Sequence, residues 1–391
     1  MSKILNFPKG FLWGTATSAY QVEGGIENCD WSEVYPAGRA CNHYNLYEKD
    51  FDLLERLNQN AYRFSIEWSR IEPEEGKFDQ KEIEHYRNVL ISLKERKIEP
   101  FVTLWHWTIP LWFFQKGGWL NPKSSEYFER YVEKIVEELK DYTIFWLTLN
   151  EPEIDTSLAF IKGKFPPKER NLLKAIKIIR NLIKAHKKAY FVIHKLEPEA
   201  KVGIAENNTY FEAYKNKLRN KISVFLADYF WNKYFLNQIK NHQDFIGLNY
   251  YSHKRVKFPF FPKNENKIIS DIGWEIYPEG IYYVLKELKK YKLPIYITEN
   301  GLADAKDRLR KNFIKNHLYW VHKAIQEGVD ARGYFHWSLM DNFEWEKGFG
   351  PRFGLIEIDY KTMERKPRPS ALYYSEICKN NSLAIEIIYA R

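Results

Sequence analysis

Two glutamates at the ends of short apolar segments could perform acid–base or nucleophilic chemistry. Glu151 closes the run IFWLTLNE and Glu299 lies in PIYITEN, each beside an asparagine. Two carboxyl groups on facing strands suit cleavage of a glycosidic bond, because one protonates the leaving oxygen while the other attacks carbon or activates water. HExxH and CxxC motifs are absent from the sequence. The pair favours glycoside hydrolysis, although a single such glutamate is more often a solvated surface acid.

An arginine in the segment AYRFSIEW bears on the same chemistry. Alternate residues of a strand share a face, so Arg63 lies with Ser65 and Glu67. A buried arginine requires an anionic partner. The partner is either an active-site carboxylate, which the pairing would hold ionised, or Glu67 in a purely structural pair.

Asn150 and Glu151 are neighbours, and regular pleating would send them to opposite faces. If both side chains meet one substrate, the strand must end or bulge at this point.

Eight short segments of strand length alternate with longer amphipathic segments. The strand candidates are Phe11–Thr17, Ala61–Trp68, Pro100–Trp107, Ile144–Glu151, Lys201–Asn207, Asp244–Tyr251, Pro294–Asn300 and Arg332–Met340. The helix candidates are Asn45–Gln59, Asp79–Lys97, Ser124–Leu139, Asn171–Leu196, Ile222–Ile239, Glu279–Lys290, Asp307–Glu327 and Pro369–Ile377. Such alternation implies parallel strands joined by right-handed crossovers. Eight units predict a (β/α)₈ barrel (TIM barrel) of the α/β class.

A doubly wound open sheet is the alternative fold, but no GxGxxG follows the first predicted strand. In a barrel, working residues gather at the carboxyl ends of the strands. Both glutamates fall there, as do the segments Trp105–Trp107, Asn249–Tyr251 and Trp337–Ser338.

Length and composition fit one soluble globular enzyme. The 391 residues allow two or three domains or a single barrel, and we expect a single domain over residues 1–391. The 13 Trp, 27 Tyr and 26 Phe suit a large core and a pocket that stacks a sugar. The net charge of +9 raises nucleic acid or anionic lipid as a partner, yet no nucleic-acid-binding motif is present, so none is expected to bind.

The signals for compartment and membrane are negative. The three cysteines, Cys29, Cys41 and Cys378, fit neither a disulfide framework nor a zinc site. No leader-like run opens the sequence, and no stretch reaches about 18 apolar residues. A reducing cytoplasm is the expected location.

Six motifs in register resemble glycoside hydrolase family 1, the retaining β-glucosidases and β-glycosidases. They are FLWGTATSAYQVEG, AYRFSIEWSR, TLNEP, GLNYY, ITENG and GYFHWSLMDNFEWEKGFGPRFGLIEIDY, and they extend in order from Phe7 to about Tyr374. The motif ITENGLAD and the short length of the chain are most similar to the archaeal members of this family. The resemblance implies a (β/α)₈ barrel, hydrolysis of terminal non-reducing β-glycosyl residues, and no cofactor or metal.

The resemblance also implies roles for individual residues. Glu299 would be the nucleophile, Glu151 the acid and then the base, and Arg63 and Tyr251 would hold Glu299 anionic. Substrate-binding positions would be Gln21, His106, Trp107, Asn150, Asn249, Trp337, Glu344, Trp345 and Phe353. The Trp337–Ser338 peptide is expected to be cis.

Three positions separate this chain from the 6-phosphosugar branch of that family. Glu344, Pro351 and Phe353 stand where that branch reads phosphate with Ser, Lys and Tyr. An anionic Glu344 would also repel phosphate. The alternative functions are a non-hydrolytic sugar or glycolipid binder on the same fold and, more remotely, a metal-dependent barrel enzyme.

The positive charge is concentrated in one segment. Residues 162–195 hold eleven Lys or Arg and one acid, Glu169. Leu172, Ile176 and Ile183 form an apolar stripe there, with lysines on another. The segment is either a solvated face of a barrel helix or a contact for anionic lipid. The loop KRVKFPFFP at 254–262 packs on the barrel, forms an apolar rim above the pocket or contacts a membrane.

Overall fold

The fold is a closed barrel of eight parallel strands surrounded by helices. A computed structural model describes residues 2–386. The strands in this range are β1 Ser2–Asn6, β2 Leu12–Ala16, β3 Ala61–Ser65, β4 Glu99–Thr103, β5 Phe145–Asn150, β6 Lys201–Asn207, β7 Tyr210–Ala213, β8 Ile246–Asn249, β9 His253–Lys257, β10 Phe261–Pro262, β11 Ile295–Gly301, β12 Ala331–Trp337, β13 Ile356–Ile358, β14 Arg365–Pro367 and β15 Ser382–Glu386. The barrel closes in the order β11-β12-β2-β3-β4-β5-β6-β8. The predicted barrel is confirmed, and the open sheet is wrong.

Helices follow the barrel strands as predicted. The α-helices in the described range are α1 Ala19–Val22, α2 His43–Arg56, α3 Trp68–Ile71, α4 Gln80–Glu95, α5 Leu111–Gln115, α6 Ser124–Leu139, α7 Pro152–Phe160, α8 Leu172–Leu196, α9 Leu218–Asp228, α10 Tyr234–Ile239, α11 Glu279–Leu288, α12 Arg310–Gln326 and α13 Pro369–Asn380. Asp79 caps α4 by accepting hydrogen bonds from the backbone N–H of Lys81 and Glu82. Asn171 caps α8 in the same way through the N–H of Lys174.

The barrel interior is packed with aromatic rings and small residues. Phe101 stacks on Phe145 with ring centroids 4.1 Å apart, and Tyr296 and Phe335 lie beside them. Alanines on neighbouring strands leave room for these rings. This plug fills the lower barrel, so a substrate can enter only from the carboxyl ends of the strands.

Two helix predictions require correction. The predicted helix Ile222–Ile239 is divided into α9 and α10 by a π-helical turn at Tyr229–Lys233. In α8, the predicted apolar stripe is only partly buried: Ile183 is buried, but Leu172 and Ile176 are exposed. The polar Asn181 is buried instead and donates to the Trp119 carbonyl. The buried face of α8 follows the small residues and Ile178, because those lie against α6 and α10.

Small sheets supplement the barrel. Strand β7 pairs with β9, and β9 pairs with β10, above the carboxyl ends of β6 and β8. The segment 254–262, predicted as a loop, is therefore a hairpin, and Phe258, Phe260 and Phe261 at its tip are more than half exposed. Packing of these rings onto the barrel is wrong. The cavity lining includes Lys254 and Pro262 of this segment but none of the three phenylalanines, so the apolar rim stays a prediction.

Candidate active site

Glu151 owes its orientation to an irregular strand end. Strand β5 stops at Asn150, and Glu151 takes a left-handed backbone with φ of 42°. The pairing of β5 with β6 also shifts register between Leu147 and Asn150. The predicted break in the strand is confirmed. It allows both Asn150 and Glu151 to line the same cavity.

Glu299 on β11 lies between a cation and a hydroxyl. The Arg63 guanidinium on β3 donates to Glu299 Oε1 at 2.5 Å, and the Tyr251 hydroxyl donates to Oε2 at 2.7 Å. The alternative Arg63–Glu67 pair is wrong, since Glu67 instead accepts hydrogen bonds from Ser69 and Thr108. An active-site carboxylate is the partner of the buried arginine.

Amide side chains connect the two carboxyl groups. Glu151 Oε1 accepts from Asn249 Nδ2 at 2.8 Å and from Asn207 Nδ2 at 2.9 Å. Asn249 also donates to Asn150 Oδ1 at 3.2 Å, and Arg63 donates to that same oxygen at 2.6 Å. One hydrogen-bonded network thus fixes both glutamates and the amide between them.

Burial raises the pKa of both glutamates, but their partners differ. Burial and the nearby Glu299 charge raise the pKa of Glu151 to about 8. Burial also raises the pKa of Glu299, while Arg63 and the Tyr251 hydroxyl oppose that rise. Arg63 therefore lowers this pKa, as expected, but the net pKa of Glu299 still lies above its ordinary value. Arg63 offsets only part of the desolvation cost.

When the site holds one proton, the direct contact with Arg63 places the charge on Glu299 and the proton on Glu151. Burial also raises the pKa of the Tyr251 phenol well above its ordinary value, so this group remains a hydrogen-bond donor.

The predicted site residues lie together around one cavity of about 700 Å³. All of them line it except Arg63 and Asn249, which lie behind the carboxyl groups and bond to them. The lining members are Gln21, His106, Trp107, Asn150, Glu151, Tyr251, Glu299, Trp337, Glu344, Trp345 and Phe353. Sequence reasoning thus located a spatial cluster drawn from most strands of the barrel.

Several polar atoms around the inner cavity have no protein partner among the described residues. These include His106 Nδ1 and Glu344 Oε2, both buried. Burial lowers the pKa of His106 well below its usual range, so the ring is neutral. Gln21 differs, because its amide already donates to Asn342 Oδ1 and to the Phe343 carbonyl. The free atoms can pair with hydroxyl groups of a ligand.

The protonation state of Glu344 differs from the one expected from the sequence. Burial raises its pKa to about 8, so the side chain holds a proton near neutral pH in the free pocket. Repulsion of phosphate by an anionic Glu344 is therefore not the main obstacle to a phosphosugar. The stronger obstacle is the apolar ring of Phe353, which lines the cavity where a phosphate would need a cation.

Aromatic rings form the walls of the inner cavity. The Trp337–Ser338 peptide is cis, as predicted. His106 stacks on Trp337 at a ring distance of 6.0 Å, and Trp107 packs against Trp345 at 4.6 Å. Gly301 permits this arrangement, because a Cβ there would collide with the Trp337 carbonyl oxygen.

Sequence reasoning missed residues that the structure adds to the site. Asn207 ends β6, so the same rule of strand ends could have identified it. Trp231, Lys254 and Trp274 line the outer cavity from the π-helical turn, strand β9 and a following loop. No periodic signal marks these positions, because they come from irregular segments.

Comparisons of the sequence with a family model and with known proteins point to the same family. The sequence model of glycosyl hydrolase family 1 matches residues 4–240 and 235–383. The chain belongs to glycosyl hydrolase family 1. A β-glucosidase A from Thermotoga maritima is 37% identical over 97% of this chain and 99% of its own. A β-galactosidase from Pyrococcus woesei is 31% identical, with 97% and 98% covered.

Solved structures agree with that membership of glycosyl hydrolase family 1. The structure of a β-glycosidase from Pyrococcus horikoshii superposes with a TM-score of 0.93 at 42% identity, covering 97% of this chain and 96% of the other. The resemblance seen in the motifs, including the similarity to archaeal members, is confirmed.

Proposed function

We propose that this chain is a retaining exo-β-glycosidase that removes terminal non-reducing β-D-glycosyl residues, as a β-glucosidase with β-galactosidase and β-fucosidase activity. The observation that carries the proposal is the buried pair of Glu151 and Glu299. Glu299 contacts a guanidinium and a phenol, whereas Glu151 contacts only neutral amides. Residues 1–391 would form one catalytic domain. A non-hydrolytic sugar binder has no support, since both carboxyl groups face the same cavity.

In the first step Glu299 attacks the anomeric carbon while Glu151 gives its proton to the glycosidic oxygen. The carbon–oxygen bond to the leaving group breaks, the aglycone departs as an alcohol, and the sugar remains as an ester of Glu299. In this proposal Asn150 binds the sugar 2-hydroxyl, and Trp337 forms the floor beneath the ring. Arg63 and Tyr251 hold the Glu299 carboxylate in its attacking position.

Formation of that ester changes the state of Glu151. The negative charge of Glu299, which helped to raise the pKa of Glu151, is lost in the ester. The pKa of Glu151 therefore falls, and the carboxylate left by the proton transfer stays ionised. It then takes a proton from water while the water oxygen attacks the anomeric carbon and releases Glu299. Two displacements at one carbon retain its configuration.

Replacement of the nucleophile tests this proposal. In Glu299→Gly we expect hydrolysis of 4-nitrophenyl β-glucoside to fall by roughly 10⁴-fold, because no group remains to form the ester. Azide or formate should restore turnover by occupying the vacated space. The control is Glu357→Gly, which removes an exposed glutamate from β13 and should leave activity unchanged. Full activity in Glu299→Gly would refute the assignment of the nucleophile. EDTA should leave the wild-type activity unchanged, which separates this enzyme from a metal-dependent one.

The lining of the pocket also predicts that 6-phosphosugars are rejected. Phe353 and the protonated Glu344 line the inner cavity, and the lysine whose charge acts on Glu344, Lys347, already pairs with Glu346. A 6-phosphosugar would lose its hydration there without gaining an unpaired cation. We infer that 6-phosphoglycosides are not substrates.

We further propose a location in the reducing cytoplasm, with peripheral contact to anionic membranes. All three cysteines are free and buried, which suits a reducing compartment. Among residues 2–386, no helix has the length and apolar character needed to cross a bilayer. Contact would therefore be at the membrane surface.

A helix with its polar face inward and its apolar face exposed supports the proposed membrane contact. Helix α9 buries Asn220 and Ser223 and exposes Leu218 by 75% and Phe225 by 67%. Phe258 of the hairpin 254–262 donates its backbone N–H to Asn220, so the two segments adjoin. Exposed lysines and an arginine surround them at Lys215, Lys217, Arg219, Lys221 and Lys257. Segment 162–195 adds attraction at longer range, although Lys174 and Lys188 already pair with carboxylates.

Sedimentation with vesicles tests this contact. We expect the protein to pellet with vesicles that contain phosphatidylglycerol at low salt, less at high salt, and little with neutral lipid. Phe225→Ser should release it, because one apolar anchor contributes about 1–2 kcal/mol. Phe191→Ser is the matched control: that ring is 61% exposed but lies against His242, just before the amino end of β8. Failure to pellet under all conditions would refute the contact.

A further inference from the structure

The outer half of the cavity is basic. Beyond the sugar site it is lined by Lys162, Lys164, Lys254, Lys263 and Lys347, and by the acids Glu275 and Glu346. Glu346 binds Lys347 at 2.6 Å, and Glu275 accepts a hydrogen bond from the Asn266 backbone N–H at 3.0 Å. The other four lysines therefore outnumber the one carboxyl group of Glu275, and this region is positively charged.

Lys254 is the most enclosed of these lysines. It projects from β9, is half-buried, and places its amino group 5.2 Å from the centre of the Trp231 ring. No ion pair with a carboxylate of the described chain satisfies it. Burial and the charge of Lys162 lower the pKa of Lys254. An unpaired ammonium group in such a place costs folding free energy, and an anion would recover that cost.

Lys162 approaches the same space from a different element. It follows α7 by two residues and lies at the open mouth of the cavity. Burial and its neighbour Lys164 lower the pKa of Lys162, with Glu346 opposing. Lys162 and Lys254 repel each other, yet the fold brings them together from segments about 90 residues apart in the sequence. A ligand anion between them would remove the repulsion.

The cavity is therefore divided by charge along its length. Its inner end holds the carboxyl groups of Glu151, Glu299 and Glu344, and its mouth holds unpaired lysines. A neutral sugar fits the inner end, where hydroxyl groups meet the unpartnered atoms of His106 and Glu344. The leaving group of that sugar must extend into the lysine-lined mouth.

We propose that the preferred substrates are β-glycosides whose aglycone carries an anionic group such as a carboxylate, sulfate or phosphate. Lys254 and Lys162 bind that anion, while Trp231 and Trp274 pack on the aglycone. This inference rests on the proposed function, because it needs the glycosidic bond to lie between Glu151 and Glu299. It defines the class of the leaving group and not the sugar.

Paired substrates test the inference. We compare 4-carboxyphenyl β-D-glucoside with the neutral 4-carbamoylphenyl β-D-glucoside, which has nearly the same shape, through the ratio of their kcat/KM values. In Lys254→Gln and Lys162→Gln we expect the anionic-to-neutral ratio to fall by about 10-fold at low salt. Lys254→Arg should keep the wild-type ratio. High salt should lower the ratio in the wild type and leave it nearly unchanged in the glutamine variants.

Lys311→Gln is the matched control. Lys311 on α12 also lies over an aromatic ring, 5.1 Å from the centre of Tyr373, but outside the cavity. Its ratio should equal that of the wild type. Product inhibition supplies a second measurement, since 4-hydroxybenzoate should inhibit the wild type more strongly than 4-hydroxybenzamide, and Lys254→Gln should remove the difference.

The outcomes separate this inference from the proposed function. Hydrolysis of the neutral glucoside with an unchanged ratio in both glutamine variants would overturn the anion site alone. No hydrolysis of either glucoside by the wild type would overturn both. The anion could also belong to a lipid headgroup, so the assays are repeated with phosphatidylglycerol vesicles. Loss of the soluble substrate's advantage in their presence would assign these lysines to lipid and overturn the substrate preference.

Discussion

Chemistry at the residue scale depends on how two similar glutamates are surrounded. Each is buried, and burial raises the pKa of both. Glu299 meets a guanidinium and a phenol, whereas Glu151 meets only neutral amides. The difference assigns the negative charge to the residue that must attack and the proton to the residue that must donate. Neither assignment is apparent from the local sequence, in which both glutamates adjoin asparagine.

The pH dependence of the free enzyme follows from that difference. Because the pKa of Glu151 is about 8, the acid form persists through neutral pH and is lost above it. We expect kcat/KM on an aryl β-glucoside to decline on the alkaline side with an apparent pKa near that value. The two carboxyl groups interact, so the measured constant belongs to the pair.

Asn207 gives this prediction a specific test. Its hydrogen bond favours the charged form of Glu151, so Asn207→Ala should move the alkaline limb upward by about 0.5–1 pH unit. Glu151→Ala should remove the limb and depress activity most on poor leaving groups, which need protonation. A limb that stays in place in Asn207→Ala would show that another group controls it.

At the scale of elements, regular segments could be predicted and irregular ones could not. Each of the eight predicted strands is present, because a buried parallel strand is a short apolar run bounded by turn residues. Helix Ser124–Leu139 is found with the predicted bounds, since its apolar period is unbroken. The helix capped by Asp79 also begins where predicted.

Helix α9 shows why the remainder was missed. A period of 3.6 residues reveals an amphipathic helix but not which face is inward. In α9 the hydrogen bonds of Asn220 to the Tyr214 carbonyl and the Phe258 N–H hold the polar face inward. The contact with Phe258 joins segments 38 residues apart in the sequence, so no local pattern could predict it.

The same reasoning applies to the candidate site. Its inner half could be predicted, because those residues sit at strand ends in motifs shared with a family. Its outer half comes from the π-helical turn, the β9–β10 hairpin and the loop around Trp274. Tertiary packing alone brings these segments over the barrel. The lysines at the mouth belong to stretches that the sequence presents only as general positive charge.

At the scale of the whole molecule, the described structure joins its two ends and buries many acids. Strand β1 pairs with β15, and the Asn381 side chain links the Trp13 indole to the carbonyls of Phe7 and Pro8. Buried carboxyl groups with raised pKa lie outside the barrel as well as within it, at Glu23, Asp30, Glu67, Glu153, Asp155 and Glu206. Such groups couple the stability of the fold to pH.

Glu153 and Glu206 are the two of these buried acids that contact each other directly. Their carboxyl groups face each other between α7 and β6, and no other side-chain donor of the described chain reaches their oxygens. Burial raises the pKa of Glu153 to about 7 and raises that of Glu206 well above its ordinary value. The pair is satisfied when one group carries a proton and donates it to the other.

The free energy of unfolding should therefore fall as pH rises. Between the unfolded pKa of 4.5 and the raised folded value, the native state binds more protons than the unfolded state, so stability declines with increasing pH. In Glu206→Gln the amide supplies the missing donor to Glu153, and the decline between pH 5 and pH 8 should shrink by about 2 kcal/mol. Guanidinium unfolding at the two pH values measures it. Glu137→Gln, an exposed acid on α6, should keep the wild-type decline. Equal declines in Glu206→Gln and the wild type would mean that the pair does not set the stability of the fold at alkaline pH.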